Sequence, residues 1–207
     1  KRPAVVLQAF KYLHQMKCPE ALYGAAMEAC VENISSSNDR LLEAMERALF
    51  LKPLTSVKAM GQTGDKTSAA LYPYLNDSKS SRRRIAARFY LSAEQHPDLD
   101  AIERLVRDPD DEIRQWTAEK LAAGGDDESQ RKLLYTLLGD PSTEVRLKAL
   151  KSLAARPTEE IYHKLMVLMK DPDAAVRAAT VAAFANETAS PWVEQLIAML
   201  EDPSSEV

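Results

Sequence analysis

One seven-residue string constrains this chain more than anything else in it: Asp140-Pro141-Ser142-Thr143-Glu144-Val145-Arg146. It returns as Asp108-Pro109-Asp110-Asp111-Glu112-Ile113-Arg114 and as Asp171-Pro172-Asp173-Ala174-Ala175-Val176-Arg177. A weaker copy runs from Asp77 to Arg83, and Asp202-Pro203-Ser204-Ser205-Glu206-Val207 begins a further one. Successive aspartates lie 31 or 32 residues apart. A unit of that length cannot bury its apolar face alone, so a fixed period of this size predicts a solenoid in which each unit packs on its neighbours.

The residue types within the string predict how it folds. An aspartate can cap a helix by accepting a bond from a first-turn N–H, and proline at the first helical position gives up only a donor that had no partner. The β-branched residue five positions after each aspartate then opens an apolar stripe. It continues every fourth residue, as Val145, Ala149 and Leu153, as Ile113, Thr117 and Leu121, and as Val176, Thr180 and Phe184. That spacing is helical. The arginine six positions after each aspartate is placed to reach the aspartate of an adjacent unit. The pairs Asp77 and Arg83, Asp108 and Arg114, Asp140 and Arg146, and Asp171 and Arg177 therefore read as a structural ladder of charge-assisted hydrogen bonds rather than as catalytic groups.

The pattern Leu-x-x-Asp-Pro-x-x-x-Val-Arg followed by an Ala/Leu-rich helix, as in Leu137 to Ala154 and Leu168 to Ala185, resembles the HEAT-repeat family in its short bacterial form, also found in phycobilin-lyase-type proteins. The resemblance extends over residues 99 to 207 and partly over 66 to 98. It implies an all-α fold, a right-handed stack of antiparallel helix pairs whose second helices line a concave face. It also implies a binding scaffold more often than an enzyme.

Composition agrees with a helical array. The chain has few glycines and aromatics and about a quarter charged residues. Helices are predicted over 3–15, 19–32, 40–50 and 54–60, then in pairs over 67–76 with 79–93, 98–107 with 110–123, 128–138 with 142–154, 158–169 with 173–186, and 190–200. Gly124-Gly125, Arg156-Pro157 and Ser190-Pro191 mark the joints. Residues 1–66 are predicted to form less regular helical pairs. Residues 67–207 are predicted to form the array proper, about four repeats and a truncated fifth, continuous with the first part as one solenoid. No apolar run reaches the roughly 18 residues of a membrane span. Ala4-Val5-Val6-Leu7 is too short for a signal peptide. A start at Lys1 and an end inside the repeated string lead to the expectation that the chain is a piece of a longer protein.

Cys18 and Cys30 are expected at opposite ends of one helix, roughly 18 Å apart at 1.5 Å per residue, and hence as free thiols. Free thiols and the lack of a signal peptide favour the cytoplasm. His14, His96 and His163 are too scattered to hold a metal, and none is followed by Glu, as the His-Glu pairs of HEAT-repeat di-iron hydroxylases would be. Gly61-Gln62-Thr63-Gly64-Asp65-Lys66-Thr67 has a Lys-Thr after glycine but fails the spacing of a phosphate loop. No cofactor and no catalytic constellation is predicted.

Charge is uneven along the chain. Residues 1–100 hold 14 basic against 11 acidic residues, and residues 101–207 hold 13 against 20. The basic excess centres on Lys79, Arg82, Arg83, Arg84 and Arg88, and Arg82 stands where the repeat calls for Val or Ile. Positions eight, eleven and twelve after each aspartate should leave the buried stripe and face the groove. They are Ile85, Arg88 and Phe89; Trp116, Glu119 and Lys120; Lys148, Lys151 and Ser152; and Ala179, Ala182 and Ala183. Tryptophan beside basic residues has the composition of an interaction hot spot. The expected contact surface is therefore Arg84, Arg88, Trp116, Lys120, Lys148 and Lys151, and the expected partner a peptide or domain with acidic groups. The alternative is nucleic acid, by resemblance to HEAT-like DNA glycosylases with a basic groove. A pI near 5.5 weighs against it, because phosphate binding needs a sustained basic surface.

Overall fold

The computed structural model describes residues 3–16, 20–49, 69–93, 98–124, 127–184 and 192–204. All regular structure among them is helical. The chain divides into two compact units, Lys1–Leu105 and Val106–Val207. The junction predicted near residue 66, the helix predicted over 54–60, the glycine-rich 61–67 string, Cys18, His96 and the Ser190-Pro191 joint all lie outside the described residues.

The first unit contains α1 (Pro3–Gln15), α2 (Glu20–Asn33), α3 (Asp39–Leu49), a 3-10 turn (Tyr72–Asn76), α4 (Ser80–Ala93) and most of α5 (Leu99–Val106). Asn38 opens α3 by accepting the Leu41 N–H at 3.3 Å, which satisfies one of the first-turn donors. The α3 helix packs against both α1 and α4. Its apolar residues Leu41, Leu42, Met45 and Ala48 follow the three-and-four spacing of one helix face and are almost wholly buried, together with Phe10 of α1 and Ile34.

The second unit is the regular one. It holds α6 (Asp111–Ala123), α7 (Glu128–Leu137), α8 (Thr143–Ala154), α9 (Glu159–Leu165) running into a 3-10 turn (Met166–Lys170), α10 (Ala174–Phe184), and α11 (Val193–Ala198) running into a 3-10 turn (Met199–Glu201). The helices that follow the repeated string, α6, α8 and α10, form a row, with α6 packed on α8 and α8 on α10. The four-residue stripes supply the core: Val145, Ala149 and Leu153, Ile113 and Leu121, and Val176 and Phe184 are all buried. Thr117 and Thr180 are wholly buried within them. Their hydroxyls donate to the carbonyls four residues back, Ile113 at 2.7 Å and Val176 at 2.8 Å, so neither buried polar group costs an unmade bond. A Cβ on Gly124, at the end of α6, would lie 2.8 Å from Gln130 Oε1, so a larger residue there needs the end of that side chain to swing aside.

The repeated aspartate does not cap the following helix. Its carboxylate accepts the N–H two residues on, as in Asp108 with Asp110 at 2.8 Å, Asp140 with Ser142 at 2.8 Å and Asp171 with Asp173 at 2.9 Å. Capping falls to the residue at the end of that turn: Asp110 accepts from Glu112 at 3.1 Å and Asp173 from Ala175 at 2.9 Å. Proline is the cause. It sits between aspartate and helix and keeps the residue before it out of the helical region, so Asp171 has φ −61° and ψ 141° and Asp202 has φ −61° and ψ 137°. The aspartate thus closes the preceding helix, its N–H returning to the carbonyl three residues back at 3.1 Å in Asp171 and 3.2 Å in Asp140.

Candidate functional site

The arginine of each string in the second unit spans two repeats. Arg146 donates through Nε and Nη2 to the two carboxylate oxygens of Asp171 at 2.8 and 2.7 Å, and through Nη1 to the carbonyl of its own repeat's Asp140 at 2.9 Å. Arg114 does the same with Asp140 at 2.6 and 2.9 Å and with the Asp108 carbonyl at 2.7 Å. Arg177 pairs with Asp202 at 2.7 and 2.8 Å and with the Asp171 carbonyl at 2.8 Å. A planar guanidinium matches a carboxylate in this two-point manner, which lysine cannot do. The hydrogen bond to Asp140 holds the pKa of Arg114 above its ordinary value despite burial, and the bond to Asp171 does so for Arg146. The bond from Arg177 correspondingly depresses the Asp202 carboxyl. Asp140 and Asp171 each accept three bonds, so their lone pairs are committed to holding repeats together.

In the first unit the weaker string is wired differently. Arg83 keeps the bond to the carbonyl of its own Asp77, at 3.0 Å. The Asp77 carboxylate, however, is taken by Arg82 Nη1 at 2.9 Å, and Nη2 of the same guanidinium reaches the carbonyls of Ser35 at 3.1 Å and Ser36 at 2.9 Å. Burial raises the Asp77 carboxyl pKa, but the Lys79 N–H and Arg82 outweigh it and leave the group below its ordinary value. Arg82 is therefore a tie from α4 to the turn after α2. Lys79 is tied to Asp39 and Arg84 Nη1 to Glu46 Oε1 at 2.7 Å, both acids being on α3. Much of the basic run is thus engaged inside the first unit. Charge reversal by Arg84→Glu is expected to lower stability by about 1 kcal/mol, measured by urea unfolding. Glu46→Arg in the same chain should restore it, and a double mutant no better than the single would sink the pairing.

The predicted groove residues divide in the same way. Ile85 and Phe89, expected to face outward, are completely buried. The α4 helix is enclosed on most sides, with Ala86, Ala87, Tyr90, Leu91 and Ser92 buried as well, and Arg88 half-buried. On α6 and α8 of the second unit none of the corresponding positions is fully buried. Trp116, Glu119, Lys120, Lys148 and Ser152 are half-buried and Lys151 is exposed. Lys148 Nζ lies 2.5 Å from Glu119 Oε1, joining the two helices across this face. On α10 the same positions are alanines, with Ala179 and Ala183 half-buried and Ala182 exposed. The face presents one aromatic ring, a bridged Lys–Glu pair and further lysines, then smooths into alanine.

Among the described residues no three or more His, Cys, Asp or Glu converge as a metal-binding set, and no helix is long and apolar enough to cross a membrane. His14 meets the carbonyl of Arg47 through Nδ1 at 2.9 Å, His163 stacks edge-on against Trp192 with ring centroids 4.6 Å apart, and Cys30 is buried.

Residues 99–185 match the family model for HEAT repeats. Over this stretch the chain consists of HEAT repeats. Its fold class is the all-α solenoid, and the chain is similar in structure to other helical-repeat proteins. An engineered protein matches with TM-score 0.56 and 21% identity, covering 86% of this chain and 87% of its own. A second engineered protein matches with TM-score 0.57 and 20% identity, covering 86% and 89%. A designed armadillo repeat protein in complex with the peptide (KR)4 matches with TM-score 0.55 and 17% identity, covering 86% and 90%. No curated protein matches the sequence. HEAT-repeat and related solenoids commonly mediate protein interactions and are generally not enzymes.

Proposed function

We propose that this HEAT-repeat chain is a non-enzymatic scaffold that holds a peptide or domain with acidic groups on the outward face of α6 and α8. Trp116 is the anchor, and Lys120, Lys148 and Lys151 select for negative charge. The observation that carries the reading is that the inward stripes and the Asp–Arg ladder already account for how these helices are held, while the outward positions still present a tryptophan and an exposed Lys151. An aromatic ring flanked by cations on a rigid helical surface supplies both contact area and charge selection. Arg84 and Arg88, also expected on the contact surface, stand on α4 of the first unit. Arg84 is engaged there with Glu46. The designed armadillo repeat protein is in complex with the basic peptide (KR)4, the opposite charge to the partner proposed here.

Nucleic acid fits the face less well. Lys148 is bridged to Glu119, so an acid interrupts the bases on this face where a phosphate backbone needs an unbroken basic strip. The test is calorimetric titration of the chain with a short Glu-rich peptide, with (KR)4 as the charge-reversed control and a short DNA duplex as the second ligand. The Glu-rich peptide should bind, and Trp116→Ala or Lys151→Glu should weaken it about tenfold. Silence with that peptide, or binding that Trp116→Ala leaves unchanged, would move the contact surface elsewhere. Tight duplex binding that falls steeply with salt would replace this reading.

A further inference from the structure

One lysine of the proposed contact face is already held by an acid of the chain itself. Among the positions eight, eleven and twelve after the aspartate, in the four strings that start at Asp77, Asp108, Asp140 and Asp171, Glu119 is the only acidic residue. It stands one turn beyond Trp116 on α6, next to Lys120, and its Oε1 lies 2.5 Å from Nζ of Lys148 on α8. Lys151, one turn further along α8, is exposed.

This pair is not what fastens α6 to α8. That falls to the buried stripes of the two helices, to the two-point bond between Arg114 and Asp140, and to Arg156 Nη2, which donates to the Ala122 carbonyl at 3.1 Å. The side chains of Arg114 and Asp140 are 10% and 5% exposed, whereas those of Lys148 and Glu119 are 41% and 38% exposed. An ion pair so open to water adds little to stability and parts readily. A carboxylate fixed in the same chain still competes for the ammonium at a high effective concentration, however dilute the protein.

We infer that Glu119 is a built-in substitute for the partner's acid: it occupies Lys148 in the free chain, and a carboxylate of the partner must displace it. The inference rests on the acidic-partner reading above and adds to it a self-masking contact that holds the affinity down. Once displaced, the Glu119 carboxylate turns to water, and Lys148 joins Lys151 in holding the partner's acids.

Calorimetric titration of the full chain with the Glu-rich peptide tests this through Glu119→Gln, which keeps the shape of the side chain and removes its charge. The variant should leave circular dichroism unchanged and bind the peptide about fivefold more tightly than wild type. In a Lys148→Gln background the same substitution should gain about twofold or less, because no ammonium is there to release. Glu159→Gln removes an exposed acid from α9 and should change the affinity by less than about twofold. A wild-type chain that binds the peptide, with Glu119→Gln binding no tighter, overturns the inference and leaves the acidic-partner reading standing. A gain as large without Lys148 as with it, or one matched by Glu159→Gln, would mean plain charge repulsion and overturns it as well. Absence of binding in both wild type and Glu119→Gln removes the reading and the inference together.

Discussion

Arg146→Ala is expected to lower the free energy of unfolding by about 3 kcal/mol. The guanidinium and its partner Asp171 are both buried, with side-chain exposures of 9% and 4%. Removing the arginine leaves the carboxylate with its single backbone bond from the Asp173 N–H and without its counter-charge. Two carbonyls in the turn of the same repeat, those of Asp140 and Pro141, lose their donor as well. Arg146→Lys should fall between wild type and alanine, because one ammonium keeps the charge but not the two-point geometry. Arg177→Ala should cost less than Arg146→Ala, since Arg177 is only half-buried. Urea unfolding followed by circular dichroism measures all three. An Arg146→Ala curve that overlays the wild type, or one milder than Arg177→Ala, would defeat the assignment of the ladder as the joint between repeats.

Phe89→Ala is expected to be at least as damaging, at about 3 to 5 kcal/mol. The ring is completely buried on α4, in a core that includes Ile85 and Leu91. Its loss leaves a cavity as well as lost transfer free energy. Phe89→Leu, which fills most of the space, should recover much of the difference. The experiment also discriminates between two registers for α4, because a groove-facing side chain would change stability by no more than about 0.5 kcal/mol. A thermal midpoint unmoved by Phe89→Ala would put the residue back on the surface.

The contrast between Arg146 and Phe89 shows where sequence is informative in an array and where it is not. In the second unit the string recurs with the same residue types at the same offsets, so one copy interprets the others: stripe, helix pairing and Asp–Arg spacing could all be read from Val145, Ala149, Leu153 and Arg146 alone. The aspartate's partner could not. A cap and a turn both need a carboxylate near an N–H, and only the backbone angle imposed by the following proline decides which N–H it meets. For α4 the register was borrowed from the later copies. Arg82 in place of valine withdraws that licence, because its guanidinium runs to Asp77 and to the Ser35 and Ser36 carbonyls. The Arg84–Glu46 pair joins residues 38 apart in a stretch with no period, so no internal repeat announces it. The 3-10 turns at Tyr72–Asn76, Met166–Lys170 and Met199–Glu201 carry no compositional mark of their own, yet each ends just before a repeat aspartate. The aspartate fixes them by drawing its N–H to the carbonyl three residues back.

Because Arg114, Arg146 and Arg177 make the same two attachments, one to the carbonyl of the string's own aspartate and one to the carboxylate of the next, the joint is a standard fitting. Excising residues 140–170 would set Asp171 where Asp140 stood and present Arg114 with a carboxylate of the same kind; duplicating the same stretch would add a rung without altering either neighbour's chemistry. Cutting inside the period would instead strand an arginine from its carboxylate. An array closed by such fittings tolerates changes of length only in whole repeats, which leaves the outward face of each repeat open to change while the joints stay the same.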